Sequence, residues 1–211
     1  MELSITNNIN SIARGLSKQA KRQVPFAIAE TLTKLAFKAM MEEKRLAPRY
    51  LDKPTPFTIR GFKYKKATKR NLTSLVYVQD ADSKRSYMKY AIEGGVKKPA
   101  GRSMLHPTAN TKLNRYGNIP RKFLKTSLAN KSKFFVGIPD GMSGQENYGL
   151  WERHGGKKGK RKHRVKMMAT FVKSRRYTAK MPFYRITQDV IDKNANNIFN
   201  KEFNEAMRTA R

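Results

Sequence analysis

Hydrophobic residues recur every three or four positions through the first third of the chain, at Ile5, Ile9, Ile12 and Leu16 and then at Ile28, Leu32, Leu35 and Ala39. This spacing places them on one face of an α-helix. Pro25 interrupts the pattern, which predicts either a kink or two consecutive helices. Pro48, followed by two further prolines, ends it. The pattern therefore predicts an N-terminal helical segment over residues 1–47.

The middle of the chain carries short runs of β-branched and aromatic residues that predict β-strands. These runs are residues 57–62 (FTIRGF), 73–79 (TSLVYVQ), 134–138 (FFVGI) and 167–172 (MMATFV). Residues 148–153 (YGLWER) predict either a strand or a short helix. Residues 83–93 predict a short helix that ends at Gly94-Gly95, because glycine is a common C-terminal cap. Residues 122–128 predict a helical turn.

Two stretches without periodicity interrupt these elements. Residues 94–118 are rich in Pro, Gly, Asn and Thr, and residues 154–166 are rich in Gly and Lys, so both predict long loops. Pro182 suits the first turn of a C-terminal helix over residues 182–207. The predicted fold class is α+β, with a long N-terminal helix, a mainly antiparallel β-sheet and a C-terminal helix packed on the sheet. Residues 55–211 form the predicted α+β domain.

Net charge is the strongest compositional signal. The 211 residues include 46 Lys and Arg against 15 Asp and Glu, which gives a formal net charge of +31. A compact chain with this charge repels itself, so we expect a polyanionic partner such as DNA, RNA or an anionic membrane surface. The apolar runs are short and the N-terminus is polar, so we expect no transmembrane span and no signal peptide. A highly soluble or secreted basic protein is the plainer alternative.

The charge is segregated along the sequence. Residues 94–139 contain ten basic and no acidic residues, and residues 153–188 contain thirteen basic and no acidic residues. Such segments predict a surface that contacts a phosphate backbone without reading bases. The residues predicted to contact nucleic acid are Lys157, Lys158, Lys160, Arg161, Lys162, Arg164, Arg175 and Arg176, with Lys97, Lys98 and Arg102 behind them. The run 154–164 equally fits a solvated loop, a targeting-like basic patch or a contact with an acidic neighbouring subunit.

The residues that catalysis would need are scarce. There is no cysteine, which excludes disulfides, thiolate metal sites and cysteine nucleophiles. Glu152 lies close to His154 in sequence, but carboxylates are rare where the cations gather, and a metal nuclease needs a cluster of ligands. Neither a Walker-type loop nor a G-x-S-x-G motif is present. We expect no enzymatic activity, no metal and no cofactor; a nuclease would lose metal-dependent activity when His154 or Glu152 is changed.

Aromatic residues lie among the basic segments, notably Tyr116, Phe123, Phe134, Phe135, Phe171 and Tyr177. Exposed aromatic rings could stack on bases. Most of these six occupy strand-like positions, so filling a core is the stronger interpretation. Trp151 and Phe183 are predicted to be core residues or anchors of a subunit contact.

Two short segments resemble sequences of a known family. One is Tyr148-Gly149-Leu150-Trp151-Glu152-Arg153-His154-Gly155-Gly156, and the other is Met181-Pro182-Phe183-Tyr184-Arg185, which opens the terminal helix. Together with the order of elements, they make the chain resemble phage tail-completion proteins and the minor tail protein Z family. In that family a Tyr-Ala-x-x-x-Glu-x-Gly segment precedes a loop and an Arg-Pro-Phe-like entry to the last helix. Here Met181 replaces the usual Arg, and the glycine falls one position late.

The resemblance implies a virion structural protein at the head–tail junction, made in the host cytoplasm. It implies a homo-oligomeric ring that contacts other virion proteins, such as the connector, tail tube or terminator. Its basic surface would hold packaged double-stranded DNA without sequence preference, because a ring adds weak contributions from several copies. No membrane partner is expected. The alternative is a free cytoplasmic protein that binds nucleic acid independently of sequence.

Overall fold

A computed structural model of the chain describes residues 2–6, 18–79, 88–154 and 164–209. In chain order the elements are β1 (Glu2–Thr6), α1 (Lys18–Tyr50), α2 (Pro56–Arg60), β2 (Phe62–Lys65), β3 (Thr73–Val78), α3 (Lys89–Ile92), β4 (Gly95–Lys97), β5 (Met104–Pro107), α4 (Phe123–Ala129), β6 (Phe134–Gly137), a 3₁₀ turn (Gln145–Asn147), β7 (Gly149–His154), β8 (Arg164–Val172), β9 (Arg175–Tyr177) and α5 (Phe183–Arg208). The sheets are antiparallel, so the predicted α+β fold class is confirmed.

The chain divides into two compact units. Unit 1 comprises the described residues up to Gly94 and those from Thr178 onward, and unit 2 comprises Gly95–Tyr177. Unit 2 is therefore an insertion between two parts of unit 1. This division differs from the sequence-based boundary between residues 47 and 55, because α1 and α5 share one hydrophobic core although they come from opposite parts of the chain.

The core of unit 1 lies between its helices and a three-stranded sheet in the order β1–β3–β2. The inward residues of β3 are Ser74, Val76 and Val78, which is the period-two pattern of a strand with one buried face. Phe62 of β2 stacks on Phe183 at the start of α5, with 6.5 Å between the ring centroids. Both rings are fully buried. The C-terminal helix therefore packs on the sheet, as predicted, and continues along α1.

Polar contacts join α1 to α5 at three levels. They are the ion pair of Lys34 with Glu202 at 2.6 Å, the hydrogen bond from Lys38 to Asn194 at 2.5 Å and the hydrogen bond from Thr187 Oγ1 to Glu43 Oε1 at 3.0 Å. The partners on α5 come in reverse order, so the two helices run antiparallel. Glu43 Oε2 is buried without a hydrogen-bond partner among the described residues. Burial raises the pKa of the Glu43 carboxyl from 4.5 to about 8.

Unit 2 is built around a four-stranded sheet in the order β5–β8–β7–β6, with β4 and β9 forming a separate two-stranded ribbon. Its small core combines α4 with one face of the sheet and consists of Leu105, Phe123, Leu124, Phe134, Leu150, Met168 and Ala169. The register between β7 and β8 shifts at Leu150 and Trp151. Next to this shift, a Cβ on Gly149 would lie 2.5 Å from the carbonyl oxygen of Ala169. The two strands approach so closely there that only glycine fits without a backbone shift.

Trp151 and Phe183, predicted as core residues or subunit anchors, are buried within their own units. Phe183 is fully buried and Trp151 is 5% exposed. The indole N–H of Trp151 donates to the carbonyls of Gly137 and Asn147, at 3.1 Å each. A buried indole needs such a partner for its only polar atom, so Trp151 is a satisfied structural residue.

The N-terminal prediction of helix is wrong at its start. Glu2–Thr6 is a strand that pairs with β3 in antiparallel register, while residues 7–17 lie outside the described residues. An isoleucine at position 5 satisfies both a helical and a strand pattern, and pairing with β3 decides between them. Helix α1 then runs from Lys18 to Tyr50 as one helix with both Pro25 and Pro48 inside it, so neither proline ends it.

Two further predictions need correction. Residues 57–62 predict a strand, but α2 forms there because Thr55 Oγ1 accepts a hydrogen bond from the Thr58 N–H and Pro56 occupies the first turn. Residues 94–118 predict one long loop, but they contain β4 and β5, which pair with β9 and β8. Those strands are only three and four residues long, which is too short for an alternating pattern of polar and apolar residues to be recognised.

The remaining predicted elements lie close to their observed positions. The predicted strands at 73–79, 134–138 and 167–172 correspond to β3, β6 and β8, and the predicted turn at 122–128 corresponds to α4. Residues 148–153 form the strand β7, and the terminal helix is α5. Of the predicted helix 83–93, Lys89–Ile92 is helical and residues 80–87 lie outside the described residues. Within the described part of the chain, no helix is both long and apolar enough to cross a membrane.

Candidate nucleic-acid interface

The ribbon of β4 and β9 brings together cations that are far apart in sequence. Lys97 lies directly opposite Arg175, and Val96 lies opposite Arg176. Directly opposite residues on antiparallel strands project from the same face. Lys97 and Arg175 therefore share one face of the ribbon, and Arg176 lies on the other. The predicted basic pairs 97–98 and 175–176 meet in one structural element.

Further cations flank the ribbon where one strand pair leads into the next. Residues 98–103 separate β4 from β5, whereas only Lys173 and Ser174 separate their partners β8 and β9. The longer connection must therefore bulge outward from the paired strands. It carries Lys98 and Arg102, which are both exposed. We call the resulting cluster the cationic ribbon; its members are Lys97, Lys98, Arg102, Lys173, Arg175 and Arg176.

Four cations of the cationic ribbon have no acidic partner among the described residues. Arg102, Lys173, Arg175 and Arg176 are exposed, and no carboxylate of the described residues forms an ion pair with any of these four. The Arg175 guanidinium lies 5.8 Å from the centroid of the Tyr177 ring, which helps to hold it on the ribbon. Like charges directly opposite each other weaken a strand pair. An anion from outside the chain would therefore stabilise this element.

The structure divides the predicted contact residues into two groups. Lys157, Lys158, Lys160, Arg161 and Lys162 lie outside the described residues, in the segment between β7 and β8. Arg164 is exposed at the start of β8, opposite His154, so it belongs to a strand rather than to the predicted loop 154–166. The other five, Lys97, Lys98, Arg102, Arg175 and Arg176, converge in the cationic ribbon.

Lys173 is a member of the cationic ribbon that the sequence did not single out. It stands in the two-residue connection between β8 and β9, directly before Arg175 and Arg176 in sequence. Its closeness to that arginine pair is visible in the sequence and could have indicated that it belongs to the cluster. Its position opposite the connection that carries Lys98 and Arg102 is not visible there, because that position depends on the pairing of two very short strands.

Glu152 forms the centre of a second polar cluster in unit 2. Lys133 Nζ lies 2.9 Å from Glu152 Oε1, and His154 Nε2 lies 2.8 Å from Glu152 Oε2. The hydrogen bond from Lys133 holds the pKa of the Glu152 carboxyl below its usual value, with His154 adding to the effect against the opposing effect of burial. Among the described residues, no three His, Asp or Glu side chains come close enough together to hold a metal ion.

Replacing Glu152 by glutamine should lower the stability of unit 2 by about 1 kcal/mol at neutral pH, a modest value because the side chains of Lys133 and His154 are 52% and 39% exposed and water screens the contacts. A lowered pKa means that this contribution is present above the unfolded-state value of 4.5 and is lost as the pH falls below it. Trp151, the only tryptophan, provides a fluorescence signal for urea unfolding of unit 2. The exposed Glu146→Gln serves as control; an equal loss in both variants would contradict a specific role for the Glu152 cluster.

The aromatic residues among the cations mostly serve packing. Phe123 and Phe134 contribute to the core of unit 2, as predicted. The Arg153 guanidinium lies 4.4 Å from the ring centroid of Phe135, and its Nη1 donates to the Lys131 carbonyl at 2.9 Å, so this arginine holds the turn before β6. Tyr177 alone combines exposure with membership of the ribbon strands.

The chain was also compared with known proteins. None of the comparisons with protein-family models, curated proteins and solved structures gave a match. The functional conclusion therefore follows from the residues and from the geometry of the cationic ribbon.

Proposed function

We propose that this chain is a structural, non-enzymatic protein that binds the phosphate backbone of double-stranded DNA through the cationic ribbon. The observation that carries the proposal is the direct opposition of Lys97 and Arg175 in a strand pair whose neighbours are also cations. Folding gathers these like charges from distant parts of the sequence, which raises the energy of the folded chain. A bound polyanion attracts each of these cations and so offsets the repulsion between them.

The chemistry of the ribbon suits phosphate rather than base edges. Arg175 and Arg176 present planar guanidinium groups, which bind phosphate oxygens with two parallel hydrogen bonds. Unit 2 as a whole contains 21 Lys and Arg against three Asp and Glu, so it attracts a polyanion from a distance. Contacts of this kind release counterions and depend strongly on salt, but they carry no sequence information.

The setting that we propose is the head–tail junction of a phage virion, where a tail-completion protein in a ring would hold the end of the packaged DNA. Support for this setting comes from the resemblance of residues 148–156 and 181–185 to phage tail-completion and minor tail protein Z sequences. A free cytoplasmic nucleic-acid-binding protein would use the same ribbon. The two settings differ in assembly, because the first requires an oligomer with virion neighbours and the second functions as a monomer.

Replacing Arg175 and Arg176 together by glutamine should weaken binding to duplex DNA and reduce its salt dependence. Each lost phosphate contact removes about 0.9 from the slope of log K against log salt concentration, so this double variant should lose about 1.8. Fluorescence anisotropy of a labelled duplex, titrated at several salt concentrations, measures the slope directly. A duplex of scrambled sequence should bind with the same affinity, because the contacts are to the backbone.

A matched control removes two exposed cations from a strand of unit 1. Lys63→Gln with Lys65→Gln changes the net charge by the same amount on β2, and this variant should keep the wild-type slope. Equal losses in both double variants would show that binding follows net charge alone and would reject the cationic ribbon as the site. Metal-dependent cleavage of the duplex that disappears in His154→Ala would favour the nuclease alternative.

A further inference from the structure

All acidic residues of unit 2 lie in one stretch of its sequence. Residues 134–152 contain Asp140, Glu146 and Glu152 and no Lys, Arg or His, whereas the rest of unit 2 contains 21 Lys and Arg and no acid. Glu152 is engaged with Lys133 and His154. Asp140 and Glu146 are exposed, and no described cation forms an ion pair with either. The negative charge of unit 2 is thus concentrated and available.

The acidic stretch also forms an edge of the four-stranded sheet. Strand β6 is the last strand in the order β5–β8–β7–β6. Four apolar side chains in and after it are 37–47% exposed, namely Val136, Ile138, Met142 and Tyr148. An edge strand presents backbone groups that can pair with another strand, and burying exposed apolar area beside it adds to the gain. This edge therefore combines three features of a docking surface: apolar side chains, pairing capacity and, after the end of β6, negative charge on Asp140 and Glu146.

The opposite edge of the same sheet has the complementary charge. Arg102 precedes β5, Lys112 and Arg115 follow it, and residues 94–139 contain no acid. Neighbouring strands alternate in direction across the four strands. In a head-to-tail array, β6 of one copy would therefore meet β5 of the next in antiparallel orientation. The end of β6, which leads to Asp140, would then lie at the start of β5, which follows Arg102.

We propose that β6 and the segment after it, up to Tyr148, dock on the β5 edge of a second copy of this chain, with Asp140 facing Arg102 of the neighbour. The occupant is another copy because the two complementary edges belong to one sheet. A contact between two different surfaces repeats from copy to copy and closes into a ring when the rotation allows it. The inference rests on the proposed function for its setting, and it names the surfaces through which the proposed ring assembles.

Light scattering of the purified full chain over a wide range of concentrations tests the proposal, with the wild type expected to self-associate. Asp140→Lys and Arg102→Glu should each weaken association on the order of 100-fold, because each places like charges opposite one another. The double variant Asp140→Lys with Arg102→Glu exchanges the signs on both edges and should associate again. In an equimolar mixture of the two single variants, each β6 edge finds an oppositely charged β5 edge on the other variant, so the mixture should associate again with the two variants alternating.

Asp189→Lys makes the same charge change at an exposed position of α5 and should associate like the wild type. Circular dichroism of each variant confirms that the fold is retained. A monomeric wild type would overturn the inference, and so would a double variant that remains dissociated. DNA binding by the wild type, in which Arg102 and the rest of the cationic ribbon are intact, separates the two proposals. A monomer that binds DNA contradicts the docking surface and the ring but not the cationic ribbon, and an oligomer that does not bind DNA contradicts only the cationic ribbon.

Discussion

Replacing Phe183 by alanine is expected to lower the free energy of unfolding of unit 1 by about 3–5 kcal/mol, the range found when a buried phenylalanine is truncated. Phe183 is fully buried, stacks on Phe62 and meets the ring of Tyr184 edge-on at 5.5 Å. Removing the ring leaves a cavity between the start of α5 and β2 that the rigid strand cannot fill. Urea unfolding followed by far-ultraviolet circular dichroism, which α1 and α5 dominate, measures the loss.

The matched control for this substitution is Phe57→Ala. Phe57 is 63% exposed, so its truncation should change the free energy of unfolding by no more than about 0.5 kcal/mol. Similar losses at Phe57 and Phe183 would contradict the view that the contact between α5 and β2 is the centre of the core.

Glu43→Gln is expected to stabilise the protein at high pH and to change little near pH 4.5. The folded-state pKa of Glu43 is raised to about 8 from 4.5, so between these two values the folded chain keeps a proton that the unfolded chain has released. Wild-type stability therefore falls with rising pH by about 1.4 kcal/mol per pH unit across this window and levels off above it. Glutamine is neutral throughout and does not share this loss.

The measurement is urea unfolding of wild type and variant at a series of pH values from 4.5 to above 8. The difference in unfolding free energy should rise across this window and then stay constant. Glu42→Gln is the control, because the neighbouring Glu42 is paired with Arg45 at the surface and its pKa is lowered by that contact. A difference curve for Glu43→Gln that is flat with pH would show that the carboxyl is already ionised within the fold.

The sequence predicts those elements whose local pattern agrees with their final environment. Strands β3, β6 and β8 are runs of β-branched and aromatic residues that end up in sheets, and α5 begins directly after a proline with no competing pattern. The start of the chain and residues 57–62 fail for a different reason. At Ile5 the pairing with β3 overrides a helical period, and at Pro56 a single side-chain cap outweighs an alternating pattern.

The candidate site likewise combines features that local sequence predicts with features that depend on strand pairing. Charge segregation is a property of the sequence alone, and it correctly marks Arg175 and Arg176 as parts of a basic cluster. Their meeting with Lys97 depends on a pairing of three residues with three residues across the whole of unit 2. A pairing of so few residues, so far apart in sequence, produces no hydrophobic periodicity that could predict it. The concentration of acids along β6 was equally visible, but its meaning emerges only once β6 is known to be an edge strand.

The insertion of unit 2 within unit 1 has a consequence for synthesis on the ribosome. Helix α1 emerges early, whereas its partner α5 begins only at Phe183, roughly 130 residues later, which corresponds to roughly 7–26 seconds of translation. During that interval the apolar face of α1 has no α5 to cover it and is open to aggregation or to a chaperone. Unit 2 is contiguous and can fold in the meantime. A nascent chain that stalls before Phe183 would therefore carry a folded, basic unit 2 attached to a unit 1 whose hydrophobic core is incomplete.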